Sequence, residues 1–411
     1  MKLKQIFFFI LPISFLILSC QNKNVNPLSP GTDFVSAPIF LKQWGATGPS
    51  NGQFGQVGDL TLDSSGNVYT CDVTNNRVEK FDSNGNYLAQ WGGPVTSAGA
   101  GQFNNPAAVA SFATSLYVAD SGNNRIESFD DNGDYGRSWG GGGSGVSQLS
   151  NPQALALDTN SNIYVADTGN NRIEVFYSAA SIPPLIWGSA GTGPASFESP
   201  KGIALDSSKN VYVADTLNNR IQKFSPTGTF LKQWGSYGTS LGQFRSPEGI
   251  AFDSLGNLYV SDAGNARIQE FDTSGDFLSS WGGQGDNLGQ FQVPISLAIT
   301  QPPYFFYIAD FGTNYVKKYG TPVTYSIFPN PVLPGEDLTI SFNSASYIGF
   351  LIQIVDFNNN VVFSDQGQAV AGNNAIQWDT TSGGSRVPAG VYLLSLTLGH
   401  SSVNEKISVA N

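Results

Sequence analysis

Short apolar segments separated by turn-forming residues recur along most of the chain. Residues 200–235 contain four such segments, and runs such as Ser-Ser-Lys-Asn and Ser-Pro-Thr-Gly lie between them. Short apolar runs with this punctuation predict β-strands joined by tight turns. We therefore expect one unit of the chain to form four short antiparallel strands.

The unit is repeated at a nearly constant spacing. A Trp-Gly pair occurs six times, 47 or 48 residues apart, from Trp44 to Trp281. A four-stranded repeat of this length indicates one blade of a β-propeller, because a single blade cannot bury its own faces. A Tyr-x-x-Asp element also occurs six times, ending at Asp72, Asp120, Asp167, Asp215, Asp262 and Asp310. The sequence thus predicts six blades.

The last repeat lacks its outer strand. After Tyr319 no Trp-Gly pair follows, whereas residues 39–45, which precede the first inner strand, nearly duplicate residues 229–235. We predict that this N-terminal strand completes the sixth blade and closes the ring, which removes an open sheet edge.

A different pattern begins at about residue 324. Six or seven short strand-like segments follow, which suggests a small β-sandwich. The predicted fold class is all-β, a six-bladed propeller followed by this sandwich. The predicted divisions are a lipoprotein signal peptide at 1–20, a flexible tether at 21–37, the propeller at 38–321 and an immunoglobulin-like sandwich at 322–411.

The propeller motifs resemble a known family. Pro-x-Gly-Ile-Ala, Tyr-Val-Ala-Asp and Asn-x-Arg-Ile-x-x-Phe recur in order, as in the NHL repeat family of six-bladed propellers, over residues 38–320. Departures occur at Val57 for Pro, at Ala266 for Asn and at Tyr315 for Arg. That family includes binding modules for proteins and RNA, sensor domains and some lyases. The resemblance therefore implies the fold and leaves the function open.

The C-terminal segment is similar to two families. Pro-Asn-Pro from Pro329, the pair Trp378-Asp379 and Pro-Ala-Gly-Val-Tyr ending at Tyr392 resemble the FlgD-type immunoglobulin-like domain. They also resemble the C-terminal sorting domains of type IX secretion cargo. Trp378-Asp379 favours the FlgD-like alternative, and a spacer role remains open.

The N-terminus has the features of an export signal. Lys2 and Lys4 precede an apolar run from Ile6 to Leu18. That run would reach ~20 Å as a helix, short of the ~30 Å hydrocarbon core of a bilayer. The segment ending in Ser19-Cys20 resembles a bacterial lipobox, which predicts acylation of Cys20 and a lipoprotein of the cell envelope or surface. An ordinary signal peptide with an incidental cysteine is the alternative.

The charge balance constrains the partners. The formal net charge is −11, and without Lys2 and Lys4 the chain carries 18 basic against 31 acidic residues. Such a surface repels polyphosphate, which argues against nucleic acid as a partner. We expect a monomer that binds a protein or glycan, with membrane attachment through the N-terminal lipid.

Five Asp-x-x-x-x-Arg pairs span the hairpin between the second and third strands of their blades. A group repeated in every blade is expected to be an architectural lock, because the carboxylate can accept turn amides and meet the guanidinium. The pairs are Asp72/Arg77, Asp120/Arg125, Asp167/Arg172, Asp215/Arg220 and Asp262/Arg267.

Residues that could perform catalysis are sparse. The only histidine, His400, lies beyond the propeller, so histidine-dependent zinc chemistry and Ser-His-Asp triads are excluded from the ring. Asp-rich turns at Asp82 and Asp130 resemble the start of a calcium loop but lack its downstream glutamate. No cofactor or metal is expected, with calcium as a possibility.

A ligand site should appear where the blades differ. The position after the inner-strand proline reads, around the ring, Gly58, Ala107, Gln153, Lys201, Glu248 and Ile295. Gln153, Lys201 and Glu248, together with Asp59, are expected at the channel mouth, with Tyr237 and Arg245 in a neighbouring loop. Ordinary loop variation would give the same pattern.

The interpretation that follows is an exported binding module without catalysis. The alternative is a propeller hydrolase or lyase that depends on carboxylates or calcium. A surface protein with a purely structural role is a third possibility.

Overall fold

The computed structural model describes residues 38–93, 99–179, 181–301, 305–320, 325–333, 335–344, 348–369, 372–398 and 401–410. The signal peptide, the tether and Cys20 lie outside these ranges, as do His400 and the predicted domain boundary after residue 321. Within the described ranges, no helix is long and apolar enough to cross a membrane. In the same described ranges the regular structure is β-strand, apart from three single 3₁₀ turns at Ser121–Asn123, Thr168–Asn170 and Ala263–Asn265.

Six four-stranded antiparallel sheets form the blades. Blade 1 is β2 (Val57–Leu62), β3 (Val68–Asp72), β4 (Arg77–Phe81) and β5 (Tyr87–Gly92). Blade 2 is β6 (Pro106–Phe112), β7 (Ser115–Asp120), β8 (Arg125–Asp130) and β9 (Tyr135–Gly140). Blade 3 is β10 (Ala154–Leu157), β11 (Ile163–Asp167), β12 (Arg172–Phe176) and β13 (Leu185–Trp187).

The remaining blades follow the same order. Blade 4 is β14 (Pro200–Leu205), β15 (Val211–Asp215), β16 (Arg220–Phe224) and β17 (Phe230–Trp234). Blade 5 is β18 (Pro247–Phe252), β19 (Leu258–Asp262), β20 (Arg267–Phe271) and β21 (Phe277–Gly282). Blade 6 is β22 (Pro294–Ile299), β23 (Phe305–Asp310), β24 (Tyr315–Gly320) and, on its outer edge, β1 (Ile39–Gly45).

The N-terminal strand closes the ring. β1 pairs antiparallel with β24, and Trp44 lies opposite Val316. The Trp44 ring is buried between Phe81 of blade 1 and Tyr307 of blade 6. The inner strands β2, β6, β10, β14, β18 and β22 follow one another around a central channel, and β22 also contacts β2. The predicted closure is confirmed.

Apolar side chains between adjacent blades form the core of the propeller. Between blades 1 and 2, for example, Tyr69 and Val78 pack in one buried cluster with Leu116 and Val118. The second strand of each blade is buried on both faces, which explains its nearly continuous apolar sequence. Burial of each large apolar side chain stabilises the folded state by about 1.5–3 kcal/mol, and each of the six interfaces between blades buries such side chains.

The C-terminal segment forms two sheets. One contains β25 (Tyr325–Phe328), β26 (Leu338–Ser344) and β29 (Gly372–Trp378). The other contains β27 (Ile348–Val355), β28 (Val361–Ala369), β32 (Gly390–Leu398) and β33 (Ser401–Val409), and a short hairpin is formed by β30 (Thr381–Ser382) and β31 (Ser385–Arg386). Ile340 and Trp378 from the first sheet share a buried core with Ile354 and Leu394 from the second. The predicted β-sandwich is confirmed.

Candidate functional site

The repeated Asp–Arg pairs are fully engaged in holding loops. In all five, Nε of the arginine lies 2.7–2.9 Å from the aspartate Oδ2, and the aspartates are completely buried. In blade 4, Asp215 also accepts the backbone N–H of Glu198 at 2.7 Å and the side-chain amide of Asn218 at 2.9 Å. Arg220 donates to the carbonyls of residues 192, 193 and 196 in the Gly-rich loop before β14. No oxygen of the pair is left for a substrate.

The sixth blade makes the same lock with a different residue. Tyr315 occupies the position of the arginine, and Lys317 takes over its role. Lys317 Nζ lies 2.7 Å from Asp310 Oδ2 and 2.6 Å from the carbonyl oxygen of Gln290. Sequence reasoning missed this lock, although a basic residue two places further along the strand was a visible signal.

In blades 1–4 the asparagine before the lock arginine joins neighbouring blades. Asn219 has a left-handed backbone, with φ of 54°, and its Oδ1 accepts the N–H of Ser246 at 2.9 Å from the loop that leads into blade 5. Asparagine tolerates this conformation better than most residues. Ala266 has the same left-handed backbone in blade 5 but no side-chain acceptor, so the departure at this position removes a link between blades.

Two cavities lie along the propeller axis. The channel has a volume of about 370 Å³ and is lined by all six inner strands. The mouth cavity, of about 480 Å³, is lined by the first residues of the inner strands, by the residues just before them and by the hairpins of the locks. The residues common to both are Ala107, Gln153, Lys201, Glu248 and Ile295.

The structure brings four of the predicted site residues together and separates two. Gln153, Lys201 and Glu248 line both cavities, and Asp59 lines the channel. Tyr237 and Arg245 line neither of these cavities. Tyr237 is exposed on its loop, with the Arg245 guanidinium 5.6 Å from the centre of its ring.

Asp59 is held in the channel wall by the two neighbouring blades. Ser296 of blade 6 donates its hydroxyl to Asp59 Oδ1, and the backbone N–H of Val109 in blade 2 donates to Oδ2 at 3.1 Å. Burial raises the pKa of the Asp59 carboxyl to about 6, although these hydrogen bonds lower it. The result is a carboxyl group whose pKa lies close to neutral pH, in the wall of a cavity of about 370 Å³.

Charged and amide side chains occupy the opposite part of the wall. Lys201 Nζ in blade 4 lies 2.7 Å from Glu248 Oε1 in blade 5. Gln153 donates its amide to Asn151 Oδ1 at 2.8 Å. The partly exposed ring of Phe311 also lines the mouth. Because blade 4 lies opposite blade 1 in a six-membered ring, a molecule across the channel would meet Asp59 on one side and Lys201 on the other.

The Asp-rich turns are occupied by their own backbone. Asp82 Oδ1 accepts the N–H groups of Asn84 and Asn86, at 2.8 and 2.9 Å, and Asp130 accepts from its own turn in the same way. In the part of the chain that the structure describes, no group of three or more His, Cys, Asp or Glu residues is placed to hold a metal ion.

This architecture defines a β-propeller protein with a channel site and a C-terminal β-sandwich. Family models identify the two parts. The NHL repeat model matches residues 149–176, 197–224 and 244–271, and the secretion system C-terminal sorting domain matches residues 326–410. Blades 3, 4 and 5 thus contain NHL repeats, and the C-terminal sorting domain indicates secretion, to the surface or outside, in a bacterium. Of the two families that the sandwich resembles in sequence, the sorting domain is the one whose family model matches.

Several solved structures are similar in fold. A structural genomics protein of unknown function from Bacteroides thetaiotaomicron is 19% identical, with a TM-score of 0.53, over 68% of this chain and 76% of that protein. Virginiamycin B lyase from Staphylococcus aureus is 15% identical, with a TM-score of 0.46, over 64% and 80%. A gluconolactonase from Xanthomonas campestris is 14% identical, with a TM-score of 0.49, over 72% and 99%. No curated protein matches the sequence.

These similarities correct the expected function. A binding module without catalysis was inferred from the absence of histidine in the ring, yet the similar structures include a lyase and a gluconolactonase. At these identities the likeness describes the fold and leaves the activity of this chain open. The physical reason for the error is that acid–base chemistry needs no imidazole, because a buried carboxyl group can titrate in the same pH range.

Proposed function

We propose that this protein is an exported propeller enzyme, a hydrolase or lyase in which the Asp59 carboxylate acts as general base in the central channel. The observation that carries the proposal is the carboxyl group in the channel wall, fixed by Ser296 and Val109 and bordering a cavity of about 370 Å³. None of the other five inner strands has a carboxylate at the position equivalent to Asp59, where they carry Ala, Gly or Ser.

The pKa of Asp59 suits that role. A general base is most effective when its pKa lies near the working pH, because it is then both deprotonated and able to accept a proton. With a pKa of about 6, Asp59 is mainly ionised at neutral pH and is more basic than an ordinary aspartate. Activity should therefore rise as the pH increases through about 6.

The mouth favours a small polyhydroxylated substrate. Its polar lining consists mainly of amide and hydroxyl side chains, among them Asn105, Asn151 and Gln153, which can both donate to and accept from hydroxyl groups. The exposed face of Phe311 can pack against an apolar ring face. Lys201 and Glu248 add one charge of each sign, so that the mouth does not require a charged substrate.

One proton transfer begins either reaction. In a hydrolase, Asp59 takes a proton from water, the hydroxide adds to an ester or lactone carbonyl, and the leaving alkoxide receives the proton from Asp59. In a lyase, Asp59 takes a proton from carbon next to a carbonyl group, and a leaving oxygen departs with that proton as a double bond forms. In both, the Lys201 ammonium group on the opposite wall can stabilise the negative oxygen.

The test is turnover of sugar lactones, sugar esters and uronate oligosaccharides by the purified full chain. Acid release identifies hydrolysis, and ultraviolet absorbance of a conjugated product identifies elimination. Asp59→Asn should lower kcat by roughly 10²–10⁴-fold, because a general base contributes about that much. The matched control is Asp276→Asn, which changes an exposed aspartate in an outer turn and should leave kcat unchanged.

A turnover that Asp59→Asn leaves intact would refute the role of Asp59. Absence of turnover for every member of the panel would count against the enzyme proposal as a whole.

The finer localisation is also a proposal. We infer that Cys20 becomes the acylated first residue of the mature protein, since Ile17-Leu18-Ser19-Cys20 has the lipobox pattern. Cys20→Ser should shift the protein from the detergent phase to the aqueous phase and abolish labelling by a fatty acid. Equal partitioning of the two forms would exclude the anchor.

A further inference from the structure

A second buried position differs between the blades in a way that the locks do not explain. It lies two residues after the lock arginine and reads, from blade 1 to blade 6, Glu79, Glu127, Glu174, Gln222, Gln269 and Lys317. In blades 1–5 its side-chain oxygen accepts a backbone N–H from the Gly-rich loop that leads into the inner strand. In blade 1 the N–H of Gly52 reaches Glu79 Oε1 at 2.9 Å.

In blades 4 and 5 the same side chain also donates. Gln222 Nε2 lies 2.8 Å from the carbonyl oxygen of Ser196 and 3.0 Å from Asp215 Oδ2. Gln269 makes the equivalent bonds to the Gln243 carbonyl and to Asp262 Oδ2, at 2.7 and 3.0 Å. The position therefore requires one acceptor for the loop N–H and one donor for the loop carbonyl and the lock aspartate.

An ionised glutamate meets only half of that requirement, because it has no hydrogen to donate. Glu79 is fully buried, and its second oxygen, Oε2, has no hydrogen-bond partner, while the Arg77 guanidinium lies 3.3 Å from its first oxygen, Oε1. Glu127 and Glu174 differ, since their Oε2 atoms face the lock arginines. Arg125 Nη2 lies 3.2 Å from Glu127 Oε2, and Arg172 Nη2 lies 2.9 Å from Glu174 Oε2. A protonated carboxyl group has the shape of a glutamine amide, and its O–H can replace the amide donor of Gln222.

We propose that Glu79 is a proton-controlled clasp for the Gly-rich loop of blade 1. With a proton, its side chain holds the loop by accepting from the loop amide and donating back to the loop and the lock aspartate. Without the proton, the donor is lost and a second negative charge faces that aspartate. Gln222 and Gln269 make the same clasp permanently.

The surrounding groups agree with this assignment. Glu79 faces Asp72, Arg77 and the Tyr87 ring. Burial raises the pKa of the Glu79 carboxyl to about 7, and the neighbouring Asp72 raises it further, while the Gly52 amide and Arg77 lower it. Since the folded pKa lies above the unfolded value of about 4.3, the folded chain takes up protons and the stabilisation is complete below about pH 4.3. It is lost as the pH rises through about 7.

The test is the melting temperature of the full chain between about pH 4 and pH 8.5, a range that includes both the unfolded and the folded pKa. Glu79→Gln should melt several degrees above the wild type at the alkaline end, and the difference should disappear at the acid end. Gln222→Glu should do the reverse and introduce a new loss of stability at alkaline pH. Glu174→Gln is the matched control and should give no gain, because its amide would turn a donor toward Arg172.

A second measurement follows the loops directly. Hydrogen exchange at the Gly52 amide, corrected for its intrinsic pH dependence, should accelerate as the pH rises through about 7. The Ala195 amide, which is held by Gln222, should keep its protection. A Glu79→Gln variant whose melting temperature differs from that of the wild type by the same amount at all pH values, or a Gly52 amide that remains equally protected, would overturn the proposal.

Discussion

The lock hairpins and the channel wall lie at the same end of the same blades, yet they differ in almost every respect. Five locks use an identical aspartate–arginine pair, and the sixth replaces only the base. The wall position after the inner-strand proline carries six different residues, including Gln153, Lys201 and Glu248. A repeated group serves a need that all blades share, whereas a residue that appears once can serve only a local one. The comparison therefore distinguishes residues that maintain the fold from residues that can form a functional site.

Opening the ring of blades should have the largest effect on the stability of the protein. Replacing residues 39–45 by a Gly/Ser segment of equal length would remove β1, expose the edge of β24 and leave Phe81 and Tyr307 without the Trp44 ring. We expect the propeller to lose its cooperative unfolding transition, which calorimetry can measure. Trp44→Ala alone should cost about 3–5 kcal/mol. Leu41→Ala, at an exposed position of the same strand, is the control and should cost little. Unchanged cooperativity in the replaced chain would contradict the closure.

A lock should matter more for stability than a charged pair in the wall. Asp215→Ala would leave Arg220 buried without its carboxylate and the Glu198 amide without an acceptor. Removing one partner of a buried pair costs about 3–5 kcal/mol, which denaturant titration of the full chain can measure.

The counterpart in the wall is Lys201→Met. The side chain of Lys201 is 35% exposed, so its bond to Glu248 is screened by solvent and its loss should cost less than about 1 kcal/mol. The turnover rate of this variant should fall instead. If the two variants lost equal stability, the distinction between lock and wall would fail.

The sequence predicts the repeated parts of this molecule well and the unique contacts poorly. Closure by residues 39–45 and the locks could be inferred because each has copies elsewhere in the chain to compare with. The bond between Asp59 and Ser296 could not, since it joins residues 237 positions apart across the closure of the ring. Neither could the exclusion of Tyr237 and Arg245 from the cavities, because the direction of a loop side chain depends on its packing.

The smallest effect is expected from substitution of Ser296, the residue that orients Asp59, and it should appear in the pH dependence of activity. The Ser296 hydroxyl donates to Asp59 Oδ1 and accepts the backbone N–H of Leu60, and its hydrogen bond lowers the pKa of Asp59. Ser296→Ala removes a bond to a charged acceptor, so the pKa should rise further, by about one unit. Because the base is active when ionised, the rising limb of the pH–activity profile should move to higher pH by that amount, while the maximal kcat changes little.

Ser296→Thr keeps a hydroxyl group and should restore the original limb. The lock aspartates supply the contrast, since none of them faces the channel and their substitution should lower stability without moving the limb. A limb that stays in place in Ser296→Ala would mean that this serine only joins blades 6 and 1. Asp59 would then resemble the lock aspartates, whose role is to hold neighbouring segments together. The channel wall would no longer contain a catalytic carboxylate that distinguishes it from the repeated parts of the blades.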